Sequence, residues 1–237
     1  WSRGLGDVYK RQVVSHRRFC REPFPGRLAM DVGPTSHRRN PFATRYVASA
    51  RLMPRDEHGG IRDLRALLAK LNAIGGSGAI VGAHGTGKST LLAHLADAIA
   101  DGVRPVERVR LRSRLDIPAV LRSIGIVPRA GLVCIDSWEL LGCSGRAIVR
   151  GLARARGVDL LVTSHGRTGL PTLVSCRGTR ALLGALVSQL PDHEVWFGTT
   201  IFSADLDAVL DRAKGDVRQA LDGLYDRFEQ RRPSMRL

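Results

Sequence analysis

The run Gly82, Ala83, His84, Gly85, Thr86, Gly87, Lys88, Ser89 and Thr90 constrains this chain more than any other stretch. Its three glycines keep side chains away from the backbone, so successive N–H groups are free to turn inward around an anion. Lys88 adds a mobile positive charge and Ser89 a hydroxyl suited to a divalent cation. The flanks fit that reading. Ala79, Ile80 and Val81 form a short apolar run before the loop, and Leu91, Leu92, Leu95 and Ile99 recur at helical spacing after it. A buried strand that turns through glycines into a helix aims the helix's positive end at the loop. His84 stands at a position the chemistry leaves open and is expected as a solvated loop tip.

The remaining pattern supplies a scaffold for such a loop. Apolar runs predict strands over 79–81, 106–111, 131–135 and 159–163, with a final strand over 194–197. Helical spacing predicts helices over 61–72, 117–125, 147–155 and 180–190. Two further helices follow, 204–213 capped by Ser203 and 216–230 started by Asp216. Alternation of strand and helix through 77–200 implies an α/β fold, its sheet parallel and covered on both faces, with the ligand at the carboxyl ends of the strands. The segment 30–60, with Pro34, Pro41, Pro54 and the basic His37, Arg38 and Arg39, reads as a basic irregular arm. The expected core is 61–203 and the expected helical lid 204–237. Residues 1–12 resemble the in-frame translation of a transposon-type sequencing adapter, and 13–29 precede the first methionine, Met30. Residues 1–29 are therefore set aside as adapter-derived or upstream sequence.

The fixed residues of 82–89 match G-x-x-x-x-G-K-[ST] in full, and the chain resembles P-loop NTPases on that motif. The resemblance covers about 61–230. It implies a three-layer P-loop NTPase fold with a mostly parallel sheet and a small C-terminal helical cap, binding Mg-ATP through residues 82–90. Asp136 ends the apolar run Leu132, Val133, Cys134 and Ile135, where an acid is costly unless it is paired or near a metal. It looks like a Walker B aspartate, which with Ser89 would hold the metal. Many such enzymes place a glutamate directly afterwards; here that position is Ser137, and Glu139 is the nearby candidate base. Thr163, Ser164 and His165 end another core strand, like the sensor position of AAA+ ATPases or the switch-histidine strand of ABC-type ATPases. The segment Gly215 to Leu224 resembles the second sensor of clamp-loader and replication-initiator AAA+ proteins, with Arg218 in the arginine's place. Arg167, Arg177 and Arg180 are candidates for a finger acting on a neighbouring subunit. No LSGGQ-type signature precedes Asp136, so a complete ABC subunit is not expected. The resemblance as a whole points to the AAA+/ABC-like branch, with Lys88, Asp136, Glu139, His165 and Arg218 carrying the chemistry. Two alternatives stay open: a small P-loop kinase, and a nucleotide-dependent switch that hardly hydrolyses.

Charge narrows the partners less than its size suggests. The net charge is +15, and outside residues 1–29 it is +10, from 30 basic and 20 acidic residues. Four of the 37 basic residues are lysines, an arginine bias that a GC-rich coding sequence produces as readily as selection for polyanions does. Arg108, Arg110, Arg112 and Arg114 alternate along one strand face, as on a solvated edge strand. The expected partners are ATP and a protein partner or a second copy, with nucleic acid left open. No apolar run reaches the ~18 residues of a membrane span. The four cysteines show no CxxC pair, so zinc is not expected and reduced thiols in the cytoplasm are.

Overall fold

In the computed structural model, β1 (Gly78–Gly82), β2 (Val106–Arg110), β3 (Leu132–Asp136), β4 (Asp159–Ser164) and β5 (Thr172–Cys176) form one sheet in the order β2-β3-β4-β1-β5. Every pairing is parallel, so the sheet expected as mostly parallel is wholly so among the described residues. The structure describes residues 40–47, 52–102 and 104–231; what the sequence predicts for 1–39 and 232–237 lies outside them.

Side-chain alternation along the strands builds the layers. Val133, Ile135, Leu160 and Val162 point to one face, where α4 (Ile117–Ile126) and α5 (Gly142–Arg156) cover them with Val120, Ile124 and Val149. Leu132, Cys134 and Leu161 point to the other, under α2 (Leu64–Ala73) and α3 (Lys88–Asp101), against Leu71, Leu91 and Leu95. Strands buried on both faces read as continuous apolar runs because no face is left for water. This is the α/β class expected from the sequence, a parallel sheet between two helical layers.

The last strand is not where periodicity placed it. Residues 193–196 form a helical turn, α7 (His193–Trp196), and the fifth strand is β5. Val195, Trp196 and Phe197 favour extended backbone, but Trp196 donates its Nε1–H to Pro191 O at 2.8 Å and packs edge-on against Phe42, with ring centroids 5.1 Å apart. Tertiary packing overrides propensity there. A second correction concerns Ser203. It is the first residue of α8 (Ser203–Arg212), and the carboxylate of Asp205 accepts from Phe202 N at 2.9 Å. The Ser203 hydroxyl accepts instead from Arg180.

One hydrophobic cluster gathers α6 (Arg180–Val187), α7, α8 and α9 (Val217–Arg231) around Leu183, Trp196, Leu206, Leu224 and Phe228. The packed helical unit thus reaches back to α6. Phe42, just before the short helix α1 (Thr44–Val47), and Leu52 belong to the same cluster. Asn40 donates to Tyr225 O at 3.0 Å and to Glu229 Oε1 at 2.9 Å. The described part of the arm therefore braces the helices. No helix among the described residues is long and apolar enough to cross a membrane.

Candidate functional site

The glycine-rich loop joins β1, central in the sheet, to α3. Gly87 sits at φ 83° immediately before α3, which starts without a side-chain cap. A side chain at Gly87 would meet nothing within 4 Å, so space is not what excludes one; the left-handed backbone is. The first amides of α3 are left facing the loop, where the helix dipole favours an anion. At Gly85, φ 67°, a Cβ would collide with the Asp216 carboxylate, because the start of α9 lies directly on the loop. Thr86 donates to Ala83 O at 2.9 Å and closes the turn. Lys88 is 7% exposed; its Nζ donates to Ala83 O at 2.5 Å and lies 3.2 Å from His165 Nδ1. Desolvation holds its pKa below the usual lysine value, opposed by carboxylates including Glu139 and Asp136.

Asp136 ends β3 beside the start of α3. Ser89 donates to its Oδ1 at 2.9 Å and Thr163 to the same oxygen at 2.6 Å. Thr163 accepts in turn from Ser137 N at 3.0 Å. The far oxygen, Oδ2, lies 3.6 Å from Arg110 Nε. Divalent magnesium takes few protein ligands and completes its octahedron with phosphate and water oxygens, which a single hydroxyl–carboxylate pair beside an anion cradle suits.

Glu139 reaches the same place by a different route from a residue directly after Asp136. Ser137 adopts φ 69° and opens a 3-10 turn over Trp138–Leu141. Trp138 is wholly buried and donates its indole N–H to Thr168 O at 3.1 Å, fixing the turn. Glu139 Oε1 then lies 3.2 Å from His165 Nε2, while Oε2 is buried without a hydrogen-bond partner. Burial foremost, and the Lys88 charge next, hold the His165 pKa below the usual value, with Glu139 opposing. The shift favours the neutral ring. In a neutral ring that accepts from Lys88 at Nδ1, the proton sits on Nε2 facing Glu139. Nδ1 also lies 3.1 Å from Gly82 O, a contact that becomes a hydrogen bond in the other tautomer. His84, expected as a loop tip in water, is exposed but stacks on His165 with ring centroids 3.5 Å apart.

These groups share a cavity of about 630 Å³. Its lining includes residues 84–90, Asp136, Glu139, Thr163 and His165 together with the apolar Leu52, Met53, Leu182, Leu186 and Leu221. Arg218 lines it from α9, whose first amides, Arg218 N and Gln219 N, donate to Asp216 Oδ1 at 2.9 and 3.1 Å. The volume and the mixture of polar and apolar lining suit a nucleoside triphosphate. Ser164 does not join the site: it is buried, and its hydroxyl accepts from Gly166 N. Arg180 is tied to Asp207 and Ser203 of α8, whereas Arg177 lies exposed just past β5.

Trp138 and Arg110 escape the sequence reading as site residues, and Thr163 enters it only as part of the polar strand end with Ser164 and His165. Thr163 carried a signal, a polar residue interrupting the apolar run Leu160, Leu161 and Val162 one step before the strand's end. Arg110 was read as one of a solvated stripe. Its neighbour relation to Asp136 follows from the β2–β3 register, in which Arg110 stands opposite Asp136.

No family model and no curated protein matches the sequence. Among solved structures the chain is similar to a variant of Thermotoga maritima RuvB, at 16% identity and a TM-score of 0.42. That similarity covers 68% of this chain and 59% of the RuvB chain, so the chain spans less than two thirds of that protein's length.

Proposed function

We propose that the chain is a P-loop ATPase that binds Mg-ATP between the sheet and the helical unit and hydrolyses it. The observation that carries this reading is the Ser89–Asp136 hydrogen bond at 2.9 Å, at the mouth of a glycine loop whose helix begins uncapped. Gly82, Ala83, His84, Gly85, Thr86 and Gly87 wrap the phosphates with backbone amides, and Lys88 leaves Ala83 O to meet the outer phosphates. Ser89 and Asp136 hold Mg²⁺, Asp136 through water, and Thr90 completes the first turn of α3. The metal supplies neutralisation of charge on the transferring phosphoryl group. Glu139 is the base that orients the attacking water: the residue lines the cavity, His165 engages its Oε1, and its Oε2 has no hydrogen-bond partner. Arg218 approaches from α9 as the residue that meets charge growing on the outer phosphate. Turnover then moves the helical unit, 179–231 with the bracing residues Asn40, Phe42 and Leu52, against the core and thereby a protein partner or a second copy.

One observation favours a second reading, a nucleotide-dependent switch. The base candidate is three residues past Asp136 and already engaged by His165, an arrangement that suits slow hydrolysis. Titrating ATP and following phosphate release separates the two. Lys88→Ala is expected to lower ATP affinity by about 100-fold while the apo protein stays folded, since it removes charge-assisted bonds to phosphate. Glu139→Gln is expected to keep affinity and lose turnover by about 10²–10⁴-fold, the range of general-base catalysis. Wild-type protein that binds ATP and releases no phosphate favours the switch; unchanged affinity in Lys88→Ala sinks both readings.

A further inference from the structure

Charge is divided unevenly between the two halves of the molecule. Residues 104–180 carry fourteen arginines and five acids, whereas residues 181–231 carry five basic residues and nine acids. The arginine excess gathers along α5, which has four arginines, no acid, and the side chains of Arg146, Arg150 and Arg154 one helical turn apart. The fold brings further arginines beside it. The Arg114 guanidinium lies against Gly142 at the start of α5, and the Arg129 stem lies beside Gly157 at its end. Arg146 donates to Arg167 O at 2.8 Å, which sets Arg167 next to it. None of these six arginines forms an ion pair among the described residues, although Arg104, Arg108, Arg110, Arg180, Arg227 and Arg231 all do.

Arg150 and Arg154 also border a groove of about 820 Å³ whose wall includes Gly151, Gly157 and Gly169. Small residues there allow a backbone to come close. The one acid in the groove, Asp159, is ion-paired with Arg104 and accepts from Ser77 at 3.0 Å, so it does not cancel the arginines. The groove lies beside the amino ends of the strands, away from the nucleotide cavity.

We propose that this arginine belt on α5 binds the phosphodiester backbone of double-stranded DNA without reading its sequence. Arg150 and Arg154, exposed and one helical turn apart, can each offer planar donors to two phosphate oxygens, while Arg146, which already donates to Arg167 O and Glu139 O, adds positive charge to the row. Single strands are bound on aromatic platforms, and this face has none: Trp138, under it, is wholly buried. Duplex RNA is recognised largely through its 2′-hydroxyls, and α5 offers the single hydroxyl of Ser144. The acidic excess of residues 181–231 makes the charge distribution uneven, which orients the arginine face toward a polyanion during approach.

Fluorescence anisotropy with a labelled random-sequence DNA duplex, the full chain and no nucleotide tests this independently of the ATPase reading. About five phosphate contacts predict a log–log salt slope near −4.5, so affinity falls roughly 500-fold for about a fourfold rise in salt. Arg150→Ala with Arg154→Ala is expected to lower the slope to about −2.7 and to weaken binding at least tenfold. Arg65→Ala with Lys70→Ala removes the same charge from exposed positions on α2, over the opposite sheet face, and is expected to change neither. Duplex DNA that does not bind, or binds equally to the α5 variant, overturns the proposal. So does preference for single-stranded DNA, duplex RNA or polyglutamate over the duplex.

Discussion

Asp136 shows how far single residues explain the site. Its carboxylate is held by two hydroxyls, and the one from Thr163 at 2.6 Å also receives Ser137 N, so one threonine fixes both the acid and the backbone turn that carries Glu139. Thr163→Val keeps the shape and removes both bonds. The Ser137 amide is then left without its acceptor, a loss of about 1–3 kcal/mol. Turnover is expected to fall about tenfold with ATP affinity changed little, as single-turnover phosphate release beside a binding titration will show; equal losses in both would mean that Thr163 serves binding alone. At this scale the sequence was informative where chemistry needs fixed spacing. Gly82, Gly85, Gly87, Lys88 and Ser89 are contiguous, and Asp136 stood out as a charge ending an apolar run. Glu139 and His165 were visible as candidates, but their contact depends on a left-handed Ser137 and a buried Trp138. Neither conformation nor burial leaves a pattern in the residue order.

Elements were legible in proportion to how well local pattern and tertiary demand agree. β3 and β4 are buried on both faces, and their apolar runs say so. β5 is an edge strand with Thr172 and Ser175 exposed between buried Leu173 and Cys176, and its flanking Gly169, Pro171 and Gly178 disguise it as a loop. α7 is decided by an aromatic cluster whose member Phe42 lies more than a hundred residues away. That brace makes a prediction: Phe42→Ala is expected to destabilise the protein by about 3–5 kcal/mol, read from chemical denaturation, since it empties a buried aromatic site. A change below about 1 kcal/mol would show that the arm rests on the helices without holding them. Asp205 ties α8 to α9 by ion pairs with Arg227 and Arg231, at 2.5 Å each. The hydrogen bond from Arg231 foremost, with those from Phe202 N and Arg227, brings its pKa down to about 2 from the usual 3.8. A carboxylate with a lowered folded pKa stabilises above its unfolded value, and that contribution drains as pH falls from about 4 to about 2. Asp205→Asn is therefore expected to lower the melting temperature at pH 7 and to flatten its decline between pH 4 and pH 2. A parallel decline in both proteins would show that the pairs contribute nothing.

At the scale of the whole molecule, the sequence pattern separated a core from a helical cap, while the structure shows where the two touch. The start of α9 lies on the glycine loop: Asp216 fills the space above Gly85, and Arg218, two residues on, lines the same cavity as Lys88 and Asp136. Residues 216–218 therefore tie the helical unit to the glycine loop and its cavity, a contact the sensor-like pattern alone does not give. Arg218 is exposed and forms no ion pair among the described residues, so losing its side chain should not cost the fold. If its guanidinium meets charge that grows on the outer phosphate as the bond to the leaving group breaks, it contributes in the transition state and little in the ground state. Arg218→Ala is then expected to lower kcat by on the order of ten- to a thousand-fold with ATP affinity nearly unchanged, whereas a residue that merely grips ATP would raise KM and spare kcat. Arg218→Lys keeps charge but loses the planar fork, and intermediate turnover is expected of it. Should Arg218→Ala turn over like the wild type, α9 would be a structural cover for the cavity, and movement of the helical unit would have to be driven from the Glu139–His165 pair instead.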